Sequence, residues 1–239
     1  MGGGRSWHAS CVSAVTAVSL PYATIPTMTS RTQTLGEEIA NSVSHGFGLL
    51  AALVFVPVLL VATSRHGAAL NVVGTSVFAV TLLVLYTVST IYHALPEGRA
   101  KRVFLKLDHA AIFVFIAGCY TPFALGPLRG DSGPALLVAV WGLAAAGVAL
   151  KATDRLAHPL ASTGLYLLMG WLVLFAVGPL LAHVPAAGVA WLVAGGVAYT
   201  VGAGFFLFDS TFRFGHAVWH LFVLAGTSCH FVAVLDYAI

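Results

Sequence analysis

Two histidines lie four residues apart in the last apolar run of the chain, in the segment GHAVWH that contains His216 and His220. Residues at i and i+4 of an α-helix share one face, so both imidazoles can reach a single metal ion. A third histidine, His93, ends the segment STIYH at the same predicted membrane depth. Three histidines with an open fourth position are typical of catalytic zinc sites. We therefore predict a zinc ion bound by His93, His216 and His220.

A carboxylate and a hydroxyl group are predicted at the same depth. Asp108, in KLDHAAIF at the start of the third apolar run, is the carboxylate expected inside a span there. A carboxylate beside a zinc-activated water can accept the proton of that water and orient it for attack. Ser89, one helical turn before His93, is expected to hydrogen-bond within the site or to orient a ligand. Asp108 and Ser89 are the candidate catalytic residues.

Other histidines and the cysteines are given simpler interpretations. By helix rise, His230 lies roughly 21 Å from His216, too far to share the metal. Three histidines are interpreted as interfacial or hydrogen-bonded residues: His45, His109 and His230. The three cysteines are isolated, with no CxxC spacing, and are interpreted as packing residues: Cys11, Cys119 and Cys229.

The composition determines which elements must position these residues. The 239 residues are 59% hydrophobic and 8% charged, and their mean hydropathy is +0.94, which excludes an ordinary soluble domain. A bilayer crossing needs about 20 apolar residues. Seven such runs are found near residues 43–64, 68–95, 107–127, 133–150, 159–181, 186–208 and 214–236. We predict an all-α integral membrane protein with seven transmembrane helices in one bundle. The small residues Ala198 and Gly202 predict close helix packing in the sixth span.

The distribution of positive charge predicts the orientation. Of the eleven Lys and Arg residues, only Arg65 and Arg129 fall on one side of the seven spans. The positive-inside rule makes the other side cytoplasmic, so the N-terminus is predicted inside and the C-terminus outside, in the cell inner (plasma) membrane. The net charge of +3 reflects this orientation, with some attraction of the segment GRAKR to anionic lipid, and does not indicate nucleic-acid binding.

The N-terminal residues differ from the rest. Residues 1–36 contain a short, weakly apolar patch and many Ser and Thr residues, so we interpret them as a flexible tail preceding a membrane domain at 37–239. An alternative is a start assigned too early, with the natural start at Met28.

Four segments together resemble the bacterial hemolysin III family, the bacterial branch of the progestin and adipoQ receptor group that includes the adiponectin receptors. These segments are EEIANSVSHGFG, STIYHAL, LDHAAIFVFIAGCYTPF and GHAVWHLFVLAGTSCHF, and the resemblance covers about residues 37–236. It implies seven helices, a cytoplasmic N-terminus and a zinc ion near the cytoplasmic leaflet. By motif match it implies the same three ligands, with Asp108 facing the zinc-bound water and Ser89 in the S-x-x-x-H motif. His109 and Ala111 depart from the receptor pattern near the pocket.

The resemblance also links the chain to membrane hydrolases that include alkaline ceramidases. The leading hypothesis is therefore a zinc-dependent hydrolase of lipid amides or esters, with a membrane lipid as substrate or ligand. The alternative is a non-enzymatic membrane sensor or regulator in which zinc is structural. A cytolytic protein is a third hypothesis, with little physical support because the chain has too few charges to line a polar pore. The oligomeric state is left open.

Overall fold

The computed structural model describes Met1 and residues 31–238, and all regular secondary structure in these residues is helical. The helices are α1 (Leu35–His66), α2 (Ala69–Ala94), α3 (Arg99–Leu125), α4 (Gly133–Ala152), α5 (Pro159–Gly170), α6 (Val177–His183), α7 (Ala186–Leu207) and α8 (Gly215–Tyr237). A 3-10 helix, Leu172–Ala176, joins α5 to α6, and the three segments form one span. The described residues thus contain seven helical segments long and apolar enough to cross a membrane, which confirms the predicted fold class. The predictions for Cys11 and Met28 lie outside the described residues.

The first and third helices begin before the apolar runs that predict their membrane crossings. Helix α1 begins at Leu35, because Thr34 and Glu37 form a capping box in which each side chain accepts a hydrogen bond from the other residue's backbone N–H. Helix α3 begins at Arg99. Hydropathy identifies only the part of a helix that crosses the apolar core, whereas capping and helix propensity extend the helix beyond it. Helices α1 and α3 therefore extend beyond the apolar runs that begin near residues 43 and 107.

The fifth span, predicted as one helix, is interrupted. The chain leaves α-helical geometry after Gly170 and continues as the 3-10 helix. The Tyr120 hydroxyl of α3 donates a hydrogen bond to the Gly170 carbonyl oxygen at 2.7 Å and also lies 2.9 Å from the Met169 carbonyl oxygen. The same hydroxyl accepts a hydrogen bond from the Val173 N–H at 3.0 Å. Backbone groups inside a membrane need such partners, because no water is available to replace them. Tyr120 therefore stabilises the interruption from a neighbouring helix.

Replacing Tyr120 with phenylalanine is expected to destabilise the protein by about 1–2 kcal/mol, because the Gly170 carbonyl and the Val173 N–H lose their partner in an apolar environment. The measurement is the thermal unfolding midpoint of the purified protein in detergent. Tyr237→Phe is the matched control, since the Tyr237 hydroxyl makes no hydrogen bond to the described residues. Equal midpoints for the two variants would contradict the role given to Tyr120.

Close packing holds α8 in place. Helix α2 packs between α1 and α3, α4 follows on α3, and α8 packs against both α1 and α7. A Cβ atom added at Gly202 of α7 would lie 2.7 Å from the Phe222 Cβ and 2.8 Å from the Trp219 ring, so α7 and α8 approach as closely as the small residues predict. The helix that carries His216 and His220 is therefore tightly held between its two neighbours.

Candidate metal centre

The three predicted ligands meet at one end of the bundle, hereafter the histidine end. His93 lies in the last turn of α2, whereas His216 and His220 lie in the first two turns of α8. Each histidine offers one ring nitrogen as a ligand atom, and these three nitrogens all lie within 4.8 Å of one another. The ring centroids are 4.7 Å apart for His216 and His220, and each is 5.0 Å from the His93 ring. This cluster, buried at His93 and His220 and partly buried at His216, could hold a metal ion.

Each clustered histidine contacts a polar partner through its Nδ1 atom. The contacts are His93 to the Glu38 carboxylate at 2.7 Å, His216 to the Asp209 carboxylate at 2.8 Å, and His220 to the Asn41 carbonyl oxygen at 3.1 Å and the Ser44 hydroxyl at 3.0 Å. Carboxylate and carbonyl oxygens accept hydrogen bonds, so they favour the tautomer with the proton on Nδ1. The Nε2 atoms are then free to bind a metal, an arrangement found at many histidine metal sites.

Several of the polar partners share one face of α1. Glu38, Asn41 and His45 follow one another at intervals of three and four residues, and therefore share a face. Glu38 also forms an ion pair with the Lys101 ammonium at 2.8 Å, and Lys101 lies over the Tyr92 ring. Lys101 belongs to the segment GRAKR, expected to attract lipid, but its side chain is buried against this network.

His45 and Ser89 lie directly beside the cluster. The His45 Nδ1 atom is 2.7 Å from the Ser89 hydroxyl oxygen. The His45 ring is stacked on the His220 ring, with centroids 3.5 Å apart and an interplanar angle of 7°. His45 is hydrogen-bonded, as interpreted from the sequence, but its position next to a predicted ligand was not foreseen. It holds Ser89 and covers one face of His220.

The start of α8 is held by the first turn of α1. The loop after α7 ends at Phe214, whose backbone φ of 59° places it in the left-handed region. Its N–H donates to the buried Glu37 carboxylate at 2.9 Å, and Arg31 donates to the same carboxylate at 2.8 Å. This carboxylate raises the pKa of Arg31 above its ordinary value by accepting its hydrogen bonds. Glu37 therefore anchors the loop that carries Asp209 to its partner His216.

An elongated cavity of about 120 Å³ begins at the histidine end. Asp108, Ser89 and His216 line it there, and His230 lines it near the opposite end. Helix rise gives roughly 21 Å between His216 and His230 along α8. Most of the wall between them is apolar or aromatic. Asp108 is buried, so it is a carboxylate enclosed between the histidines and an apolar chamber.

His109 and His230 are separate from the cluster. His109 lines the cavity from α3, with its ring centroid 6.3 Å from that of Phe206. His230 contacts the Leu192 carbonyl oxygen through Nε2 at 3.3 Å. Cys119 also lines the cavity, and Cys119 and Cys229 are both free thiols. None of these residues is grouped with the three candidate ligands.

The donor atoms and the charge of the histidine cluster are suited to a divalent cation. The His93 Nε2 atom is buried and has no hydrogen-bond partner among the described residues, a cost that a metal bond would remove. Imidazole ligands suit zinc and similar divalent ions. With the carboxylates ionised, Glu38, Asp108 and Asp209 exceed the single ammonium of Lys101 by two negative charges. A divalent cation would balance that excess.

Asp209→Asn is expected to weaken zinc binding by about 10- to 100-fold while leaving the ligands in place, because the neutral amide no longer increases the basicity of His216. Competition with a chromophoric chelator measures this affinity. Asp154→Asn is the matched control, since Asp154 is an exposed carboxylate in the loop after α4 that pairs with Lys106. An affinity of Asp209→Asn as high as that of the control would refute the role of Asp209.

Sequence reasoning missed most of the outer partners. Glu38 and Asn41 precede the predicted start of the first span and were not considered as membrane residues. The spacing of Glu38, Asn41 and His45, at three and then four residues, was the sequence signal that these polar residues share one helical face. Asp209 lies seven residues before His216 in a loop, and no spacing rule could connect the two side chains.

The fold and cluster together define a seven-helix membrane protein with a buried histidine centre. A family model described as "Haemolysin-III related" matches residues 33–231, so the chain belongs to the haemolysin III family. The chain is 42% identical to "Hemolysin-3" of Bacillus cereus, over 89% of this chain and 96% of the relative, and 42% identical to the "Hemolysin-3 homolog" of Bacillus subtilis, over 86% and 96%. It is 26% identical to the human "Monocyte to macrophage differentiation factor", over 84% of each chain.

Proposed function

We propose that this chain is a zinc-dependent hydrolase of lipid amides or esters, with His93, His216 and His220 as the zinc ligands. The observation that carries the proposal is a cluster of histidines, each oriented through Nδ1, next to the buried carboxylate of Asp108 at one end of an apolar cavity. Zinc at such a site supplies Lewis-acid polarisation of a carbonyl and an activated water.

The protein's own residues then have distinct roles. Asp108 would hold the proton taken from water and return it to the leaving group, as a general base and then a general acid. Its burial keeps bulk water away from that proton. Ser89, held by His45 at 2.7 Å, would orient a group of the substrate or the water. His45 would also keep the His220 ring in position by stacking on it.

The cavity supports a membrane lipid as the substrate. Its walls are largely apolar along a length suited to an acyl chain, and its polar groups are concentrated at the histidine end. A lipid amide or ester has the matching arrangement, with one polar reacting group and a long apolar chain. Its wall includes Gly170, an exposed residue in the fifth span, so the cavity reaches the surface that faces lipid.

The charge distribution supports an orientation with the histidine end cytoplasmic, in the inner (plasma) membrane. Most of the basic residues near that end lie in the first turns of α3, in the last turn of α4 and in the loop after α4: Arg99, Lys101, Arg102, Lys106, Lys151 and Arg155. The proton chemistry would then take place near the cytoplasmic leaflet.

A non-enzymatic role for the metal has one observation in its favour. The ligands come from α2 and α8, which both pack against α1 and contact each other much less. A metal ion would link these two helices directly. This alternative predicts that chelation lowers the thermal unfolding midpoint while no lipid is hydrolysed.

The test is to incubate purified protein with ceramides and phospholipids and to quantify released fatty acid by mass spectrometry. We expect release that a chelator abolishes and added zinc restores. Absence of turnover on every lipid, together with a lower unfolding midpoint after chelation, would replace the hydrolase proposal with the structural role.

Because the relatives are named hemolysins, dye leakage from liposomes is measured in parallel. We expect none, since the cavity is mainly apolar.

A further inference from the structure

A second pocket, hereafter the distal pocket, lies at the end of the bundle opposite the histidine end. It has a volume of about 380 Å³, and its polar lining residues are Asn71, Arg129, His183, Asp236 and Tyr237. These residues come from the first turn of α2, the loop after α3, the end of α6 and the last turn of α8. Because several spans begin or end there, the distal pocket lies at the level of the lipid head groups.

Contacts between helix ends hold the elements of the distal pocket together. The Asn71 side-chain amide donates to the Ala238 carbonyl oxygen at 2.8 Å, which ties the start of α2 to the end of α8. A Cβ atom added at Gly188 of α7 would lie 2.7 Å from the Tyr237 ring, so the start of α7 also packs closely against the end of α8. The distal pocket is therefore formed by helix ends that support one another.

The charged side chains of the distal pocket are not paired with each other. Arg129 and Asp236 have opposite charges and line the same pocket, but they form no ion pair among the described residues. The side chains of His183 and Tyr237 likewise make no hydrogen bond to the described residues. Arg129, His183 and Asp236 are exposed. The pocket thus offers donors and an acceptor that a ligand can reach.

The two opposite charges favour a ligand that is a zwitterion. A purely anionic ligand at Arg129 would also approach the Asp236 carboxylate, whereas a divalent cation would find a single carboxylate with a guanidinium nearby. A ligand with one anionic and one cationic group can pair with both side chains. A guanidinium matches the geometry of a phosphate, to which it can donate two parallel hydrogen bonds.

We propose that the distal pocket binds a phosphoethanolamine group, with the phosphate at Arg129 and the primary ammonium at Asp236. This group occurs both as the head group of phosphatidylethanolamine and in free glycerophosphoethanolamine. The site is independent of the proposed zinc site, because the distal pocket shares no lining residue with the cavity at the histidine end.

The experiment measures, by native mass spectrometry, how much phosphatidylethanolamine and phosphatidylglycerol the purified protein retains from equimolar mixtures in detergent. We expect a preference for phosphatidylethanolamine that Asp236→Asn abolishes, since phosphatidylglycerol has the phosphate but lacks the ammonium. Arg129→Gln should weaken the binding of both lipids by about five- to tenfold, because both lose the guanidinium partner of the phosphate. Addition of a chelator should change neither result.

Arg65→Gln and Asp131→Asn are the matched controls, because both residues are exposed at the same end of the bundle and neither lines the distal pocket. Their lipid binding should equal that of the original protein. An unchanged preference in Asp236→Asn, or equal losses in Arg129→Gln and Arg65→Gln, would overturn the proposal. Excess glycerophosphoethanolamine identifies the source of the group: displacement of the lipid would show that the head group alone is sufficient, whereas retention would assign the site to the lipid.

Discussion

Replacing His93, His216 or His220 with alanine is expected to reduce bound zinc from about one ion per chain to nearly none, because two imidazoles without the third bind the ion far more weakly. The three variants should be about equally affected, since each loses one of three ligands. The measurement is the metal content of protein purified without chelator at neutral pH, by inductively coupled plasma mass spectrometry.

Two other histidines provide the controls for this series. His230→Ala should leave the zinc content unchanged, because His230 lies far along α8 from the cluster. His45→Ala is the more demanding control, since its ring is stacked on His220. It should retain most of the metal if His45 supports a ligand without being one. Loss of zinc in His45→Ala with retention in His93→Ala would show that the third ligand was chosen wrongly.

Replacing Asp108 with asparagine or alanine is expected to reduce lipid hydrolysis by at least about 100-fold while sparing most of the bound zinc. The physical reason is that a carboxylate acting on the proton of water is needed for turnover, whereas the three imidazoles hold the ion. Released fatty acid and metal content are measured on the same preparation, so that the two effects can be separated.

Asp154→Asn again serves as the control, because it removes an exposed carboxylate and should change neither quantity. Fatty-acid release by Asp108→Ala equal to that of the original protein would remove the proposed mechanism. Loss of zinc in the same variant would instead identify Asp108 as a metal ligand.

The spans and the cluster could be predicted because each depends on a local property of the sequence. A run of apolar residues long enough for a bilayer identifies a crossing without knowledge of its neighbours. The spacing of His216 and His220 places them on one helical face, and the alternation of spans brings His93 to the same depth. Neither the spans nor the cluster depends on a particular contact between distant residues; the three histidines need only lie at the same depth in the membrane.

The interruption of the fifth span and the outer partners of the histidines depend on tertiary contacts. Gly178 and Pro179 follow the interruption and are compatible with the start of a new helix, but the 3-10 geometry from Leu172 is stabilised by the Tyr120 hydroxyl of α3. Glu38 reaches His93 only because α1 extends beyond its apolar part and packs against α2. The cavity likewise results from the arrangement of five or more helices, and no single segment predicts it.

The order of the ligands along the chain has a consequence for biogenesis. His93 is in the second span and its partner Glu38 is in the first, but the other two ligands are in the last helix to leave the ribosome. Membrane insertion of the six spans that precede α8 therefore produces an intermediate with only one of the three imidazoles. If the cluster binds a metal ion as proposed, the ion would be loaded after α8 has inserted and docked between α1 and α7. A chain stalled before Gly215 would lack two of the three proposed ligands, so the ion would have to be available at the membrane once α8 has been made.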